Sequence, residues 1–380
     1  MLIKEAFAKK IKDSRDEATI EVEVNGCKAS SPSGKSKGKY ETLSYYKSLQ
    51  WNIDFINKTK FNLEINKFND LIKLEKFIKE KVHLKSAKQF GANALFALES
   101  ALLKAIAKSQ NKELYEIVAD GKRISKITVP VGNAIGGGLH SHNKDHPTFQ
   151  EFLLIPRRKT AKDNVRIMDN VYNKLGNLFK SNSKNDEGAW QTSLNDEEIL
   201  TILKQFKGIK IGIDCASSSF YRNGDYNYKN KMLDRETQIN YINTLVKDYG
   251  VFYCEDPLDE EDFKGFSKLK KGDKNMIVGD DLTVTHIDRL KRAIKLNSIN
   301  AIIVKPNQNG SLLELKEIFE ICRKNKVRTI MSHRSGETMD NALADYAVGF
   351  QAEFIKCGIS TKWREVKLKR LVEIEKRVFG

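Results

Sequence analysis

The sequence has few cysteines and no pair of them at close spacing. Five occur among 380 residues, and no two form a CxxC motif. An odd number of widely spaced cysteines argues against a disulfide framework and against a zinc site. We therefore expect reduced, mostly buried thiols at Cys27, Cys215, Cys254, Cys322 and Cys357.

The sequence also lacks a long hydrophobic run. Its least polar stretch, residues 91–107, contains Glu99 and Lys104 and repeats its apolar residues at helical spacing. This pattern predicts a buried amphipathic helix and not a membrane span. Residues 1–24 contain no apolar core of signal-peptide length and run into an alternating strand pattern. We expect a cytoplasmic protein with no membrane partner.

Charge is not balanced, because 66 lysines and arginines face 50 acids and give a formal net charge of +16. Such a field attracts nucleic acid, anionic lipid or anionic metabolites. The lysines are scattered, however, and are interleaved with Glu and Asp on predicted helix faces. This distribution favours an ordinary solvated surface, so nucleic-acid binding is allowed by the charge but is not expected.

The residue pattern changes once along the chain, near residue 125. Residues 1–125 mix strand and helix patterns joined by polar segments, which predicts a smaller α+β N-terminal domain. Residues 126–380 contain short apolar strands that alternate with amphipathic helices, such as "IKIGID", "MIVGDD" and "AIIVK". Repeated strand–helix units predict parallel strands, and their number favours an α/β fold closed into a (β/α)8-type barrel.

Ionisable residues recur at one position of this repeat, the carboxyl end of the strand. In a parallel barrel these ends converge on the face that carries active sites. A single strand-end Asp is more often a helix cap, but six ionisable residues in register favour a functional site. The six are Asp214, Glu255, Asp280, Lys305, His333 and Lys356.

The three acids of this set are hard oxygen ligands from successive strands, which suits Mg²⁺ and not zinc or a redox metal. Such an ion would explain why Asp280 lies within the apolar run "MIVGDDLTVT". Lys305 and Lys356 follow on later strands. A lysine near cations loses its proton more easily and can act as a general base. The alternative is that both lysines are salt-bridge partners of the acids.

Longer motifs resemble those of the enolase family over nearly the whole chain. The N-terminal half contains "DSRDEATIEVEV", "SPSGKSKG" and "FGANALFALESA". The barrel half contains, in the family's order, "FQEFLLIP", "NDEGAW", "GIDCASSSFY", "CEDPLDEEDF", "VGDDLTVT", "IVKPNQNGSL", "SHRSGETMDNALADYAVG" and "IKCG". The resemblance implies Mg²⁺-dependent dehydration of 2-phosphoglycerate to phosphoenolpyruvate in glycolysis and gluconeogenesis.

The resemblance also implies a metal and base assignment. Asp214, Glu255 and Asp280 would bind the first of two Mg²⁺ ions, and Ser36 of the lid loop would join the second. Lys305 would remove the α-proton of the substrate.

The remaining implied roles concern the acid and the substrate. Glu187, assisted by Glu151, would protonate the departing hydroxide, a role that requires a carboxyl with a raised pKa. Lys356 would help to bind the substrate carboxylate. The other substrate-binding residues implied are His140, His333, Arg334 and Ser335, with the last two holding the phosphate.

Several positions depart from the family pattern. Gly136 stands where the family has Asn, and Leu139 precedes His140. Asn185 precedes the acid motif where Gly is usual, and the lid carries Lys35 and Lys37. The pattern Cys-Arg-Ser-Glu-Arg that follows the last strand is absent from "GISTKWREVKLKR".

These departures leave three functions open. An active, divergent enolase is favoured. A related Mg²⁺-dependent lyase acting on another phosphorylated or phosphono-carboxylic acid, or a non-catalytic relative that binds a partner such as RNA, remain alternatives. The resemblance further implies a homodimer or a larger homo-oligomer.

Overall fold

The computed structural model describes residues 1–35, 38–180, 183–272 and 274–380. All five cysteines are free, and four of them are buried. Within the described ranges, no helix is both long enough and apolar enough to cross a membrane.

The N-terminal region combines short antiparallel strands with four helices. Its strands are β1 (Leu2–Ile3), β2 (Phe7–Lys12), β3 (Ala18–Val24), β4 (Cys27–Ser30) and β5 (Leu63–Glu64). Its helices are α1 (Leu49–Lys58), α2 (Leu71–Val82), α3 (Ala92–Ser109) and α4 (Leu114–Ala119).

Helix α3 packs on the sheet β2-β3-β4, because alternate residues of β3 form one apolar face. Ile20, Val22 and Val24 on that face are fully buried. The helix begins after Gly91, whose φ is 106°. A Cβ at Gly91 would lie 2.4 Å from the Cα of Tyr45, so glycine is required for this close approach.

The C-terminal region contains the barrel and a small ribbon. Its strands are β6 (Val129–Gly136), β7 (Glu151–Pro156), β8 (Trp190–Gln191), β9 (Ile209–Asp214), β10 (Tyr221–Arg222), β11 (Asp225–Asn227), β12 (Met232–Leu233), β13 (Val251–Glu255), β14 (Met276–Gly279), β15 (Ala301–Val304), β16 (Arg328–Ser332) and β17 (Phe354–Lys356). Its helices are α5 (Ala161–Phe179), α6 (Asp196–Leu203), α7 (Arg235–Tyr249), α8 (Phe263–Lys268), α9 (Ile287–Lys295), α10 (Pro306–Asn309), α11 (Leu312–Lys324), α12 (Ala342–Gly349) and α13 (Lys362–Phe379).

Among the described residues, eight strands close into a barrel in the order β6-β7-β9-β13-β14-β15-β16-β17, with β17 pairing back to β6. The predicted α/β barrel fold is therefore confirmed. The barrel strands β9, β13, β14, β15, β16 and β17 are parallel, as the repeated units predicted. Strand β7 is the exception, because it runs antiparallel to both β6 and β9.

The reversal of β7 has a consequence for the site. Its first residue, Glu151, pairs with Asp214, the last residue of β9. Below this level an apolar cluster fills the barrel interior, including Phe252, Tyr253 and Ile330. The open end is thus the end that carries the strand-terminal acids.

The two regions pack closely, since α4 contacts α12 and α3 contacts α10. The division near residue 125 falls between α4 and β6 and stays a prediction.

Candidate active site

A pocket of about 80 Å³ lies at the carboxyl ends of the parallel strands. The predicted residues that line it are His140, Glu151, Glu187, Asp214, Asp280, Lys305, His333, Arg334, Ser335 and Lys356. Glu255 is fully buried and contacts this lining through Lys356. Ser36 lies outside the described residues, and its role stays a prediction.

Lys356 is the centre of one cluster of charges. Its Nζ lies 3.0 Å from Asp214 Oδ2, 2.8 Å from Glu255 Oε2 and 2.9 Å from Glu151 Oε2. Burial opposes the ammonium charge, but Asp214, Glu151 and Glu255 outweigh it and raise the pKa of Lys356 well above its usual value. Lys356 is therefore a fixed cation in this geometry.

Lys305 and Asp280 form a second buried ion pair. The lysine directly follows strand β15, and the aspartate directly follows β14. Asp256 fixes the turn beyond β14, because it accepts hydrogen bonds from the backbone N–H groups of Asp280 at 3.0 Å and Asp281 at 2.6 Å. The sequence argument did not assign Asp256, although it follows Glu255 directly at a strand end.

The pKa of Lys305 differs from the sequence-based expectation. A lowered value was expected from neighbouring cations. Burial does lower the pKa of Lys305, but the Asp280 carboxylate outweighs burial and the net shift is upward. The same ion pair lowers the pKa of Asp280 against the effect of burial. The expectation concerned a lysine beside bound cations and stays a prediction; in this geometry the charge nearest to Lys305 is the carboxylate of Asp280. Both lysines are ion-paired, as the salt-bridge alternative proposed.

The acids suit a divalent cation by their charge and chemistry. Burial and Asp214 raise the pKa of Glu255 well above its usual range. Burial and Asp280 raise the pKa of Asp281 to about 7. The raised pKa values mean that Lys305 and Lys356 do not fully offset the free-energy cost of ionising these buried acids. Carboxylate oxygens are the donors that hard divalent cations prefer.

The predicted ligand trio is not preassembled. Within the described part of the chain, acids and histidines with ligand atoms within 4.8 Å of one another form two groups, namely His140, Glu151 and Glu187, and Asp256, Asp280 and Asp281. Asp214 and Glu255 are instead joined through Lys356. A metal on the predicted trio would have to compete with this ammonium group.

Glu151 and Glu187 form the acidic side of the pocket. Burial raises the pKa of Glu151 well above its usual range. Burial also opposes ionisation of Glu187, but its neighbours favour it and lower the pKa of Glu187 well below its usual range. Because burial lowers the pKa of both His333 and His140, the charge that remains beside Glu187 is the guanidinium of Arg364. The direction is opposite to the one expected for Glu187, and Glu151 is the carboxyl of the pair whose pKa is raised.

His333 is held as a neutral imidazole by a residue that the sequence argument missed. Arg364 of α13 is fully buried, and its Nε donates to His333 Nδ1 at 3.1 Å. Because a guanidinium only donates, Nδ1 must accept and the ring proton must lie on Nε2. That nitrogen is 3.9 Å from Glu187 Oε2. Burial lowers the pKa of His333 well below its usual value, against the attraction of Glu187.

Arg364 also supports the segment that carries the predicted phosphate ligands. Its Nη2 donates to the carbonyl oxygens of Arg334 at 3.3 Å and Ser335 at 3.0 Å. In the sequence, the only feature that could have indicated this role was an arginine shortly after the last strand, in the segment that lacks the family pattern.

The predicted phosphate residues already have partners. Arg334 Nη2 lies 3.0 Å from both carboxylate oxygens of Glu41. The hydroxyl of Ser335 accepts from the backbone N–H of Lys35 at 2.7 Å. The lysine side chain reaches Asp186 at 3.4 Å. Lys35, at the start of the lid loop (residues 34–38), thus contacts both Ser335 and Asp186, which belongs to the acid loop (residues 185–189).

Comparison with known proteins agrees with this architecture and covers nearly the whole chain. A family model described as "Enolase, C-terminal TIM barrel domain" matches residues 125–379, and one described as "Enolase, N-terminal domain" matches residues 3–118. The chain belongs to the enolase family. The recognised resemblance is therefore confirmed, and the class of activity is that of a carbon–oxygen lyase, phosphopyruvate hydratase.

Curated enolases are similar over their full length. The "Enolase" of Picrophilus torridus is 34% identical over 401 residues, which cover 99% of each chain. The "Enolase" of Thermoplasma acidophilum is 34% identical over 397 residues and 98% of each chain. A bacterial "Enolase", from Ehrlichia ruminantium, is 32% identical and covers 97% of this chain and 95% of its own.

Proposed function

We propose that the chain catalyses the reversible dehydration of 2-phospho-D-glycerate to phosphoenolpyruvate, in glycolysis and gluconeogenesis. The observation that carries the proposal is that Lys305 and Glu187 line one small pocket together with residues suited to a carboxylate and a phosphate. Elimination of water needs a base for the α-proton and an acid for the leaving hydroxide.

Lys305 takes the α-proton in this proposal. Its amine lone pair accepts the proton from C2, and the electrons of the C–H bond remain on C2 as a carbanion. These electrons then form the C2–C3 double bond as the C3–O bond breaks and the leaving hydroxide takes a proton from Glu187. The ion pair with Asp280 orients the amine, but it also raises the pKa of Lys305 and must be weakened before the amine can act as a base.

Asp214, Glu255 and Asp280 are the residues that would hold a divalent metal, and we propose Mg²⁺, with a second ion joined by Ser36. When bound, such cations supply positive charge that stabilises the dianion formed from a carboxylate substrate. Carboxylates also have to be ionised to bind them, and the metal would have to displace the Lys356 ammonium from Asp214 and Glu255. Lys356 would then contact the substrate carboxylate.

Glu151 and Glu187 supply the proton for the leaving hydroxide. We infer that the proton of the pair resides on Glu151, since the pKa of that carboxyl is raised whereas that of Glu187 is lowered. We propose that Glu187 delivers it and that Glu151 is the reservoir. The Nε2–H of His333 and the ring of His140 lie beside the pair and orient it.

Arg334 and Ser335 hold the substrate phosphate. Arg is suited to bidentate phosphate binding, but Glu41 occupies the Nη2 group of Arg334 in this structure. Phosphate binding therefore requires Glu41 to move away, which couples substrate entry to the lid segment that precedes it.

We further propose a cytoplasmic homodimer, on the family resemblance and on contacts through the N-terminal strands and the segment after the last barrel strand. Sedimentation of the purified chain at micromolar concentration would show a dimer, and a monomer would contradict this part of the proposal.

A direct assay tests the activity. Phosphoenolpyruvate formation from 2-phosphoglycerate should require Mg²⁺ and disappear with EDTA, and Asp280→Asn should lose most of the metal response. An absence of turnover, with turnover of another phosphorylated acid, would favour the related lyase. An absence of any turnover together with salt-sensitive RNA binding would favour the binding role.

A further inference from the structure

The acid loop, residues 185–189, is closed around Glu187 by one buried amide side chain. Asn185 Oδ1 accepts from the backbone N–H of Glu187 at 3.0 Å and of Ala189 at 2.9 Å. The backbone N–H of Asn185 donates to the carbonyl oxygen of Ala189, and that of Gly188 donates to the carbonyl oxygen of Asn185, both at 2.9 Å. Asn185 therefore fixes the direction of the loop at Glu187, the residue proposed to protonate the leaving hydroxide.

Space for this amide comes from Gly136, the last residue of β6. A Cβ at position 136 would lie 2.3 Å from Asn185 Nδ2, which no real structure accommodates without a shift. The backbone of Gly136 is not in the left-handed region, so its conformation would accept other residues. Gly136 is thus required by the neighbouring side chain and not by its own φ.

The position of Gly136 also ties the loop to the other acid. Gly136 pairs with Glu151 in the β6–β7 register. On the outer side, the hydroxyl of Tyr172 donates to the carbonyl oxygen of Gly188 at 2.5 Å. The loop is held between β6 and α5, with Glu187 directed at His333.

We propose that Asn185 and Gly136 form a matched pair in which Asn185 is a positioning residue for Glu187. The family pattern described above has Asn at position 136 and Gly at position 185, the reverse of this chain. We infer that one amide in this space is required and that either strand β6 or the acid loop can supply it. This inference rests on the proposed dehydration.

A double exchange tests the pair. Asn185→Gly removes the amide, and Gly136→Asn forces two amides into the space of one. Each single variant should lose activity, by up to on the order of 10²-fold, since small misplacement of a catalytic group has effects of this size. The fall should lie in kcat more than in KM, because Glu187 is not assigned to substrate binding. The double variant G136N/N185G should recover most of the loss.

Recovery distinguishes a matched pair from two unrelated structural positions. Losses that simply multiply in the double variant would overturn the proposal. Hydrogen exchange provides a readout independent of turnover: the amides of Glu187 and Ala189 should exchange faster in Asn185→Gly and return to parental protection in the double variant. If the parent shows no turnover, the proposed function fails, while this exchange test still decides the pairing. Unchanged protection in Asn185→Gly would overturn it.

Matched controls use the same substitutions at positions without these contacts. Asn230→Gly changes an exposed asparagine. Gly272→Asn adds a side chain at an exposed glycine outside the left-handed region, where the nearest atom to the new Cβ would be Asn275 Oδ1 at 3.7 Å. Both controls should retain parental kcat and parental exchange at Glu187. A comparable loss in either control would show that the substitutions act through general stability and would overturn the assignment.

Discussion

Lys305 and Glu187 are assigned opposite halves of the elimination, and isotope exchange separates them. Lys305→Ala should lose both phosphoenolpyruvate formation and exchange of the substrate α-proton with D₂O, because no base remains. Glu187→Gln should lose elimination but keep exchange, since the carbanion still forms and is reprotonated. Each loss should be on the order of 10²-fold or more. Parental exchange in Lys305→Ala would show that the base is another residue.

Arg364 controls the proton on His333, and NMR of the imidazole nitrogens can observe it directly. The parent should show a neutral ring with the proton on Nε2. Arg364→Gln removes a cation that holds the pKa of His333 down, so that pKa should rise and the acid limb of kcat/KM should move to higher pH. Arg364→Lys keeps the charge and should shift less.

Lys367 provides the matched control for Arg364. It is equally buried on the same helix and pairs with Glu337 at 2.8 Å, but it has no contact with His333. Lys367→Met should destabilise the protein without moving the His333 pKa. An unmoved His333 pKa in Arg364→Gln would contradict the assignment.

Glu41 competes with phosphate for Arg334. Glu41→Gln removes the negative charge from a buried ion pair and should tighten the binding of inorganic phosphate in the presence of fluoride and metal. The expected result is a lower inhibition constant, measured under identical salt, with KM for the substrate falling in parallel. Weaker inhibition would mean that Glu41 orients the arginine instead of blocking it.

The residues that sequence reasoning recovered share one property, since they lie at strand ends or in long motifs. A strand repeat places such residues at one mouth regardless of side-chain detail. Arg364 and Asn185 were not recovered, because they act through buried hydrogen bonds to residues that are distant in sequence. The direction of the Glu187 pKa was also missed, since it depends on neighbours from other elements, including Arg364 of α13.

At the scale of elements, the barrel was predictable from its repeated strands, but the direction of β7 was not. The alternating pattern of apolar strands and helices does not reveal which pair of strands is joined without a full helix. Residues 137–150, between β6 and β7, contain only a short helical turn. Because β7 is antiparallel, its first residue, Glu151, and not its last residue lies at the barrel mouth, the open end that carries the strand-terminal acids. Sequence motifs identified Glu151, whereas the strand-end rule alone would have placed it at the opposite end.

Helix α3 carries a buried acid that links the two regions. Glu99 is fully buried, and its Oε2 accepts from the backbone N–H of Leu312 at the start of α11 at 2.7 Å. Burial and the neighbouring Glu75 raise the pKa of Glu99 well above its usual range. The folded state therefore binds a proton that the unfolded state releases above about pH 4.3.

This proton makes stability fall as pH rises. The contribution of Glu99 is fully present below the unfolded pKa and is lost as pH rises toward the folded pKa. Glu99→Gln mimics the protonated acid, so its free energy of unfolding should depend less on pH between about 5 and 8 than that of the parent. Urea denaturation at several pH values measures the slope. Glu317→Gln, on the exposed side of α11, should retain the parental slope, and an equal slope in Glu99→Gln would show that Glu99 is ionised.

At the scale of the whole molecule, buried acids are concentrated at the barrel mouth, although the protein as a whole has a net charge of +16. The raised pKa values of Glu151, Glu255 and Asp256 all have burial as their largest cause, with like charges adding to it. The surface charge is screened by salt within about 10 Å and does not neutralise these buried groups. Local pairing and bound cations must therefore decide the stability of the mouth.

Metal and pH should consequently act on stability in opposite directions. Asp281, with a pKa of about 7, binds a proton in the folded state that an unfolded Asp releases near pH 3.9. Stability without added metal should therefore decline as pH rises from about 4 through about 7. Mg²⁺ binds only ionised acids of the folded state, so its stabilisation should grow over the same range and reach about 2.7 kcal/mol at one hundred times its Kd.

Calorimetry should show that Mg²⁺ raises Tm more at about pH 8 than at about pH 5, with NaCl of equal ionic strength as the control. Asp280→Asn should lose most of the difference, and an equal rise in Tm at both pH values would mean that the cation binds outside the acidic mouth.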